Sequence, residues 1–312
     1  EWGTKSKPII ESERHPLHRG LTHRLPYTEM FEAATKAELD TVNGKWFWES
    51  GIIYFSATDG GDATLKRYEA RARPTLTHNN GTIELNRVSA WFSSAAGMRF
   101  NGLKTTRQGC TSYGSLRNGF DDNANLTLSH KDISGGNGND GFNPTLDGAL
   151  LAQPEFNTRL EQVYFDPYGH DNGDDGLSCH YRSDSTIHGG LFEYNTKADV
   201  VHVTGANCIC YNTVSNKTRH GFYSATATTG DSERVKTVFR CVSTVATGNE
   251  YSYTAYDDSV MQCIDTKAVN PLTWGYLQSG AGALHATNAK YTGDALKAKS
   301  GTVTVINDAA LT

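Results

Sequence analysis

The sequence predicts an all-β protein, a right-handed parallel β-helix (solenoid) carrying a small N-terminal helix/hairpin insertion. Three features lead there: a coil-length repeat, a turn-rich composition, and the lack of sustained helical spacing. From about residue 81, short β-prone runs ended by Gly, Asn or Asp return roughly every 20–25 residues, the period of a solenoid coil. The chain of 312 residues has 31 Gly, only 8 Pro and 37% hydrophobic residues, which fits stacked short strands joined by tight turns. Apolar spacing at i, i+3, i+4 is not sustained anywhere after residue 45.

The clearest runs are 126–129, 160–165, 186–193, 208–214, 237–242 and 260–264, each followed after a polar turn by a second run. The second runs begin Asp140-Gly141-Phe142, Asp175-Gly176-Leu177, Asp199-Val200-Val201, His220-Gly221-Phe222 and Glu250-Tyr251-Ser252. A polar residue followed two places on by an apolar one thus recurs from coil to coil. Strand side chains alternate faces, so one residue per coil points into the stack while its neighbours face out. A single coil cannot bury its apolar face; stacked neighbours bury it jointly. Gly190, Asn212, Cys241 and Cys263 fall in register as a ladder of small or amide side chains.

Residues 1–80 read as a cap and hairpin region packed on the solenoid, and 81–312 as the β-helix itself. Within the first part, 28–39 has helical spacing through Met30, Phe31, Ala34 and Leu39, and 45–55 reads as two strands around Glu49-Ser50-Gly51. The basic tract of His15, His18 and His23 with Arg14, Arg19 and Arg24 reads as a solvated face or subunit contact. At the other end, 302–306 continues as one more strand. The first residue is Glu1, as expected of a portion of something longer, and the opening residues do not resemble a signal peptide. Cys110, Cys179, Cys208, Cys210, Cys241 and Cys263 match no paired zinc spacing and read as buried apolar residues.

A net charge of -5, from 29 Lys+Arg and 34 Asp+Glu, gives no footprint for a phosphate backbone, so no nucleic-acid partner is expected. No apolar run reaches the roughly 18–20 residues of a membrane span, so no membrane insertion is expected. Phosphate loops, Gly-x-Ser-x-Gly elbows and zinc-protease His pairs are missing from the sequence.

The densest polar cluster is 169–180, Gly-His-Asp-Asn-Gly-Asp-Asp-Gly-Leu-Ser-Cys-His. With Asp140 one coil earlier and His220 two coils later, it places acidic and imidazole groups above one another. Adjacent coils lie about 4.8 Å apart, which brings carboxylates within the separations that glycosidases use. Like-charged neighbours raise one pKa, keeping a proton available on one group while another stays ionised. Turn chemistry also favours Asp and Asn before Gly, but a turn does not need the adjacent pair Asp174-Asp175. Outward alternation adds Ser178, His202 and Tyr223 in one row with Asn143, and His180 two residues beyond Ser178.

The succession Asn139-Asp140-Gly141-Phe142, then Asp174-Asp175, then His220-Gly221 resembles polygalacturonases and related β-helical glycoside hydrolases. The run from Asp174 to His180 also looks like β-helical phage tailspikes and exopolysaccharide depolymerases. The resemblance covers roughly residues 139–221. It implies Asp140, Asp174 and Asp175 as acid and base, with His220 alongside; His180 is added from its place beside them. Asn143, Ser178, Arg182, Asp199, His202, Lys217, Arg219 and Tyr223 are the expected substrate-binding residues. Asp199 is an additional acidic position between the second and third motifs.

The expected partner is therefore a polysaccharide, and the tailspike likeness implies a homotrimer in an extracellular or virion-surface setting. Three functions stay open. A hydrolase would use the paired Asp. A lyase would use His180, His202 or Tyr223 as base, with Arg182, Lys217 or Arg219 neutralising the uronate. A non-enzymatic glycan-binding spike would use the polar ladder only for its turns. No cofactor or metal is expected: 135–143 fits the calcium nonapeptide pattern once, and such sites are built between consecutive copies. Asp171, Asp174 and Asp175 are the other oxygen-ligand set that a calcium ion would use.

Overall fold

The computed structural model describes residues 9–13, 27–32, 35, 37–38, 45–49, 52–55, 68–71, 76–146, 159–180, 182–203, 205–225, 238–292, 302–306 and 309–310. They form a right-handed parallel β-solenoid whose coils each lay one short strand into three stacked sheets. The first sheet has nine strands, from Leu76–Asn79 to Trp274–Ser279; the second has ten, from Thr82–Asn86 to Thr302–Ile306. The third also has ten, from Ser89–Trp91 to Ala309–Ala310. Among the described residues no helix is long and apolar enough to cross a membrane.

Alternation makes each strand two-faced. In Leu160–Phe165, Leu160, Gln162 and Tyr164 are buried while Glu161, Val163 and Phe165 are not. In-register pairing then stacks like on like. Phe120, Phe142, Leu177, Val200, Phe222, Tyr253 and Tyr276 form one fully buried column. Its rings stack at 5.1 Å for Phe120–Phe142, 5.2 Å for Phe222–Tyr253 and 5.0 Å for Tyr253–Tyr276. Cys210, Cys241 and Cys263 form a second buried column, and all six cysteines are free and buried, as the sequence predicts.

The expected ladder is corrected. Cys241 and Cys263 do stack, but Asn212 lies at the corner between the second and third sheets with φ +52°, not on their column. That corner repeats a left-handed residue at Lys131, Asp166, Asn212, Ser243, Asp265 and Asn288. The amide ladder runs instead along the corner between the third sheet and the first. There Asn137 Nδ2 donates to Asn172 Oδ1 and Asn172 Nδ2 to Asn195 Oδ1, both at 2.9 Å. Each link satisfies a buried amide and fixes one turn to the next.

At the N-terminus, the hairpin of Lys45–Glu49 with Ile52–Phe55 is present. The helix expected over 28–39 is not: Tyr27–Glu32 is a strand, antiparallel to Ile9–Glu13 and parallel to Lys45–Glu49. Its run Tyr-Thr-Glu-Met-Phe-Glu is rich in β-formers, and pairing on both edges outweighs four residues at helical spacing. The basic tract 14–24 lies outside the described residues.

Candidate active site

The Asn ladder sets the position of three carboxylates where the third sheet turns into the first. Asp175 opens the strand Asp175–Cys179, and Asp174 precedes it. Asp140 stands one coil back, its carbonyl accepting from Gly119 N while Gly141 N donates to Asp175 O at 2.8 Å. The glycines after these residues are required by close approach. A Cβ on Gly141 would lie 2.5 Å from Gly176 O, and one on Gly176 would lie 2.6 Å from Asp199 O.

One carboxylate oxygen each of Asp140, Asp174 and Asp175 lies within 4.8 Å of the others. Asp140 is 3% exposed and Asp175 9%, whereas Asp174 is half-buried and its Oδ2 meets Lys197 Nζ at 2.7 Å. Burial, then the charges of Asp175 and Asp174, push the Asp140 carboxyl well above the usual carboxylate range. Burial and the charge of Asp174 push Asp175 up to about 7, against hydrogen bonds from Ser178 and the Ala198 N–H and the charge of Lys197. Among the described residues, one ammonium stands beside three carboxylates, and the proton affinity of the buried pair is raised. Among the described residues, Asp174 Oδ1 and Asn143 Oδ1 are buried and accept no hydrogen bond.

Ser178 Oγ lies 3.1 Å from Asp175 Oδ2 and 2.7 Å from His180 Nε2, a continuous chain from the buried carboxyl to a half-buried imidazole. Burial pushes the His180 pKa down, with the Asp174 charge opposing, which favours the neutral ring. Tyr223 is half-buried, its phenol pushed up to about 12 chiefly by burial and then by Asp257 and Tyr256.

The remaining expected residues divide. Tyr223 shares a row with Ser178, through Val201 rather than His202. His202 is fully buried, its ring bonded to Ala206 O and near Ser224 Oγ, and burial pushes it down to about 4; its expected contact with substrate is corrected. Asp199 is also fully buried, accepting from Asn195 Nδ2, Ser215 Oγ, Thr218 Oγ1 and Asn216 N. It ends the amide ladder instead of facing a glycan. Lys217 lies at the left-handed turn after Val214–Asn216 in the third sheet, with Nζ 3.1 Å from Tyr194 Oη, away from the carboxylates.

Arg182 occupies the left-handed corner between Asp175–Cys179 and Ser183–His188, past the far end of the strand that Asp175 opens. Arg219 faces Glu250 at 3.6 Å. His220 shares the Asp175 column but with Ala198 between them, so it lies roughly 10 Å along the stack and does not touch the carboxylates. Asp171 pairs with His170 at 2.8 Å and stands apart from the acidic group, which removes it from the expected calcium set. In the nonapeptide 135–143, Asn137 is held in the ladder and Asn139 Nδ2 donates to Asn118 Oδ1 at 2.7 Å.

Sequence reading missed Lys197. Its signal was there: it precedes Ala198, the residue in register with Asp175, and so falls one coil after Asp174. No family model, curated protein or solved structure matches this chain.

Proposed function

We propose that this protein is a glycoside hydrolase that cleaves a polysaccharide lying along the first sheet, using Asp140, Asp174 and Asp175. Parallel β-helices are common to polysaccharide-active enzymes and tailspikes, and the likeness of the Asp140, Asp174-Asp175 and His220 motifs to polygalacturonases supports the same class. The observation that carries the reading is the trio itself: three carboxyl groups in mutual reach with, among the described residues, a single ammonium beside them.

In this mechanism the Asp140–Asp175 pair holds the proton that goes to the leaving glycosidic oxygen. Asp174, paired with Lys197 and carrying the unpartnered Oδ1, is the acceptor for a proton from attacking water. The pair titrates as a unit, so the proton belongs to both residues. Ser178 and His180 connect Asp175 to the less buried side and return a proton to it after each cleavage.

The elimination reading loses support at two of its three neutralising cations, since Arg219 faces Glu250 and Lys217 meets Tyr194, and keeps only Arg182 at the strand end beside His180. The test is incubation with a panel of capsular and plant polysaccharides followed by mass analysis. Hydrolysis adds one water per cut. Products lacking that mass, with the ultraviolet absorbance of a new double bond, would mean elimination and overturn the proposal.

A further inference from the structure

We infer that the first sheet holds an electrically neutral glycan, with sugar rings docked on an aromatic column that extends from the carboxylates toward the C-terminal coils. This deepens the glycan reading above and rests on it. The column is fixed by register: Asp175 pairs with Ala198, Ala198 with His220, His220 with Tyr251, and Tyr251 with Trp274. Strand spacing puts Trp274 roughly 19 Å from Asp175 along the stack, a span suited to several sugar rings. Ala198, the smallest side chain in the column, separates the carboxylate from the first ring.

The rings form one contiguous surface. His220 stacks on Tyr251 at 4.9 Å, and Tyr251 lies 6.0 Å from Trp274. Tyr223 lies 4.8 Å from His220 and Tyr256 lies 6.4 Å from Tyr223. All five are half-buried or exposed, with Tyr256 at 44%. Tyr223 is tilted 41° from His220 and Trp274 is tilted 55° from Tyr251, which turns ring face away from the stack axis. Such a face receives the apolar C–H side of a sugar while hydroxyls reach the polar groups beside it.

Charge decides which glycan. A uronate is recognised by cations free to pair with its carboxylate, ideally a bidentate Arg. Among the described residues, the cations along the column from Asp175 to Trp274 are engaged: Lys197 meets Asp174 at 2.7 Å and Arg219 faces Glu250 at 3.6 Å. With each of these cations offset by its own carboxylate, the column offers a polyuronate no net positive charge to attract it. Uncharged sugars meet neither obstacle.

The test is native affinity electrophoresis of the whole chain in gels containing dextran, galactan, glucomannan, polygalacturonate or alginate. Asp175→Asn serves as a non-cleaving background. We expect retardation by at least one neutral polysaccharide and none by the two polyuronates. Trp274→Ala and Tyr251→Ala should each weaken that retardation roughly tenfold, the scale of losing one aromatic anchor. Trp274→Phe should keep part of it, and circular dichroism confirms that each variant is folded. Glu250→Gln, which releases Arg219, should gain retardation by polygalacturonate.

Preferential retardation by a polyuronate, no retardation by any neutral polymer, or neutral binding indifferent to both aromatic variants would each overturn the inference. Binding without cleavage by the unsubstituted protein would sink the hydrolase reading alone and leave this one standing.

Discussion

Two groups of charged side chains lie within one coil of each other and are built on opposite principles. Inside the solenoid, fully buried Arg107 donates Nε to Asp132 Oδ2 at 2.8 Å and pairs with both oxygens of Asp122; Tyr164 Oη donates to Asp122 Oδ2 at 2.8 Å. Its guanidinium lies over the rings of Phe100 and Phe120, at 4.9 and 4.6 Å from their centroids. The pull of the two carboxylates outweighs burial and holds Arg107 charged. At the corner between the third and first sheets, Asp140, Asp174 and Asp175 have, among the described residues, one largely exposed ammonium, and protons on the buried pair offset the shortfall. A carboxylate pair held by one guanidinium together with hydrogen bonds from Tyr164, Ser129 and the Cys110 N–H stabilises one structure, whereas carboxylates that take up mobile protons can exchange them with a substrate.

The largest effects should come from the interior. Arg107→Met leaves Asp122 and Asp132 buried without their cation, and we expect a loss of about 3–5 kcal/mol in stability by urea denaturation. Leu177→Asp and Phe222→Asp place a charge in the fully buried column and should prevent normal folding, read by circular dichroism. Soluble, cooperatively melting forms of both would show that this column does not hold the coils together.

Asp175→Asn is the opposite case, expected to keep the fold while lowering turnover on a susceptible glycan by about two to four orders of magnitude. The sign of its effect on stability follows from the raised carboxyl. Below its usual value of 3.8, Asp175 is protonated in native and unfolded chains alike; between there and about 7 only the unfolded chain ionises freely. The native state therefore loses stability as pH rises across that window. The Asn variant lacks this loss and should melt higher than the unsubstituted protein at pH 8, with the difference shrinking toward pH 4. Equal melting temperatures at both ends would mean that Asp175 is ordinary and the cluster holds no proton.

The coil repeat was legible because it is local. A polar residue, a glycine and an apolar residue mark the start of a first-sheet strand wherever Asp140, Asp175 or His220 occurs, and Phe142, Leu177 and Phe222 do lie inside. The reading slipped at one coil, where Asp199 resembles Asp175 but Ala198 is its partner in register. A slip of one residue exchanges inside for outside, and it accounts for the misplacement of both Asp199 and His202. Lys197 and Arg107 escaped for another reason. Each acts on carboxylates at 15 to 25 residues' separation, through stacking that composition and spacing do not specify.

Lys197→Gln probes how far one cation sets the surface group's balance. The ammonium lowers the proton affinity of Asp175 and Asp140, so its loss should move the alkaline limb of the activity profile upward. We expect a shift below about one pH unit, because Lys197 is largely exposed and its charge is screened. A downward shift would reverse the assigned polarity of the site.

Ser178→Ala should have the smallest effect and is the most diagnostic for proton movement. With Asp175 ionised, Ser178 Oγ donates to Asp175 Oδ2 and His180 Nε2–H donates to Ser178 Oγ; protonation of Asp175 reverses both bonds, so that its O–H donates to Ser178 and the Ser178 proton points to His180 Nε2. Each turnover thus takes up one proton from solvent at His180 Nδ1 and delivers one to Asp175, while Asp174 releases to solvent the proton it took from water and the ring resets by exchanging its Nδ1 proton for one at Nε2. The alanine variant keeps all three carboxylates and Lys197 but removes the middle of this chain, together with a hydrogen bond that lowers the Asp175 pKa. Turnover should fall by a factor of about ten or less, the alkaline limb should move slightly upward, and a weak acid such as imidazolium should restore part of the rate by protonating Asp175 directly. Nitrogen-15 chemical shifts should report a pH-dependent change of His180 tautomer near neutrality in the unsubstituted protein and not in the variant. If the tautomer is the same in both and unchanged across that range, Ser178 only packs beside Asp175, and the returning proton takes another route.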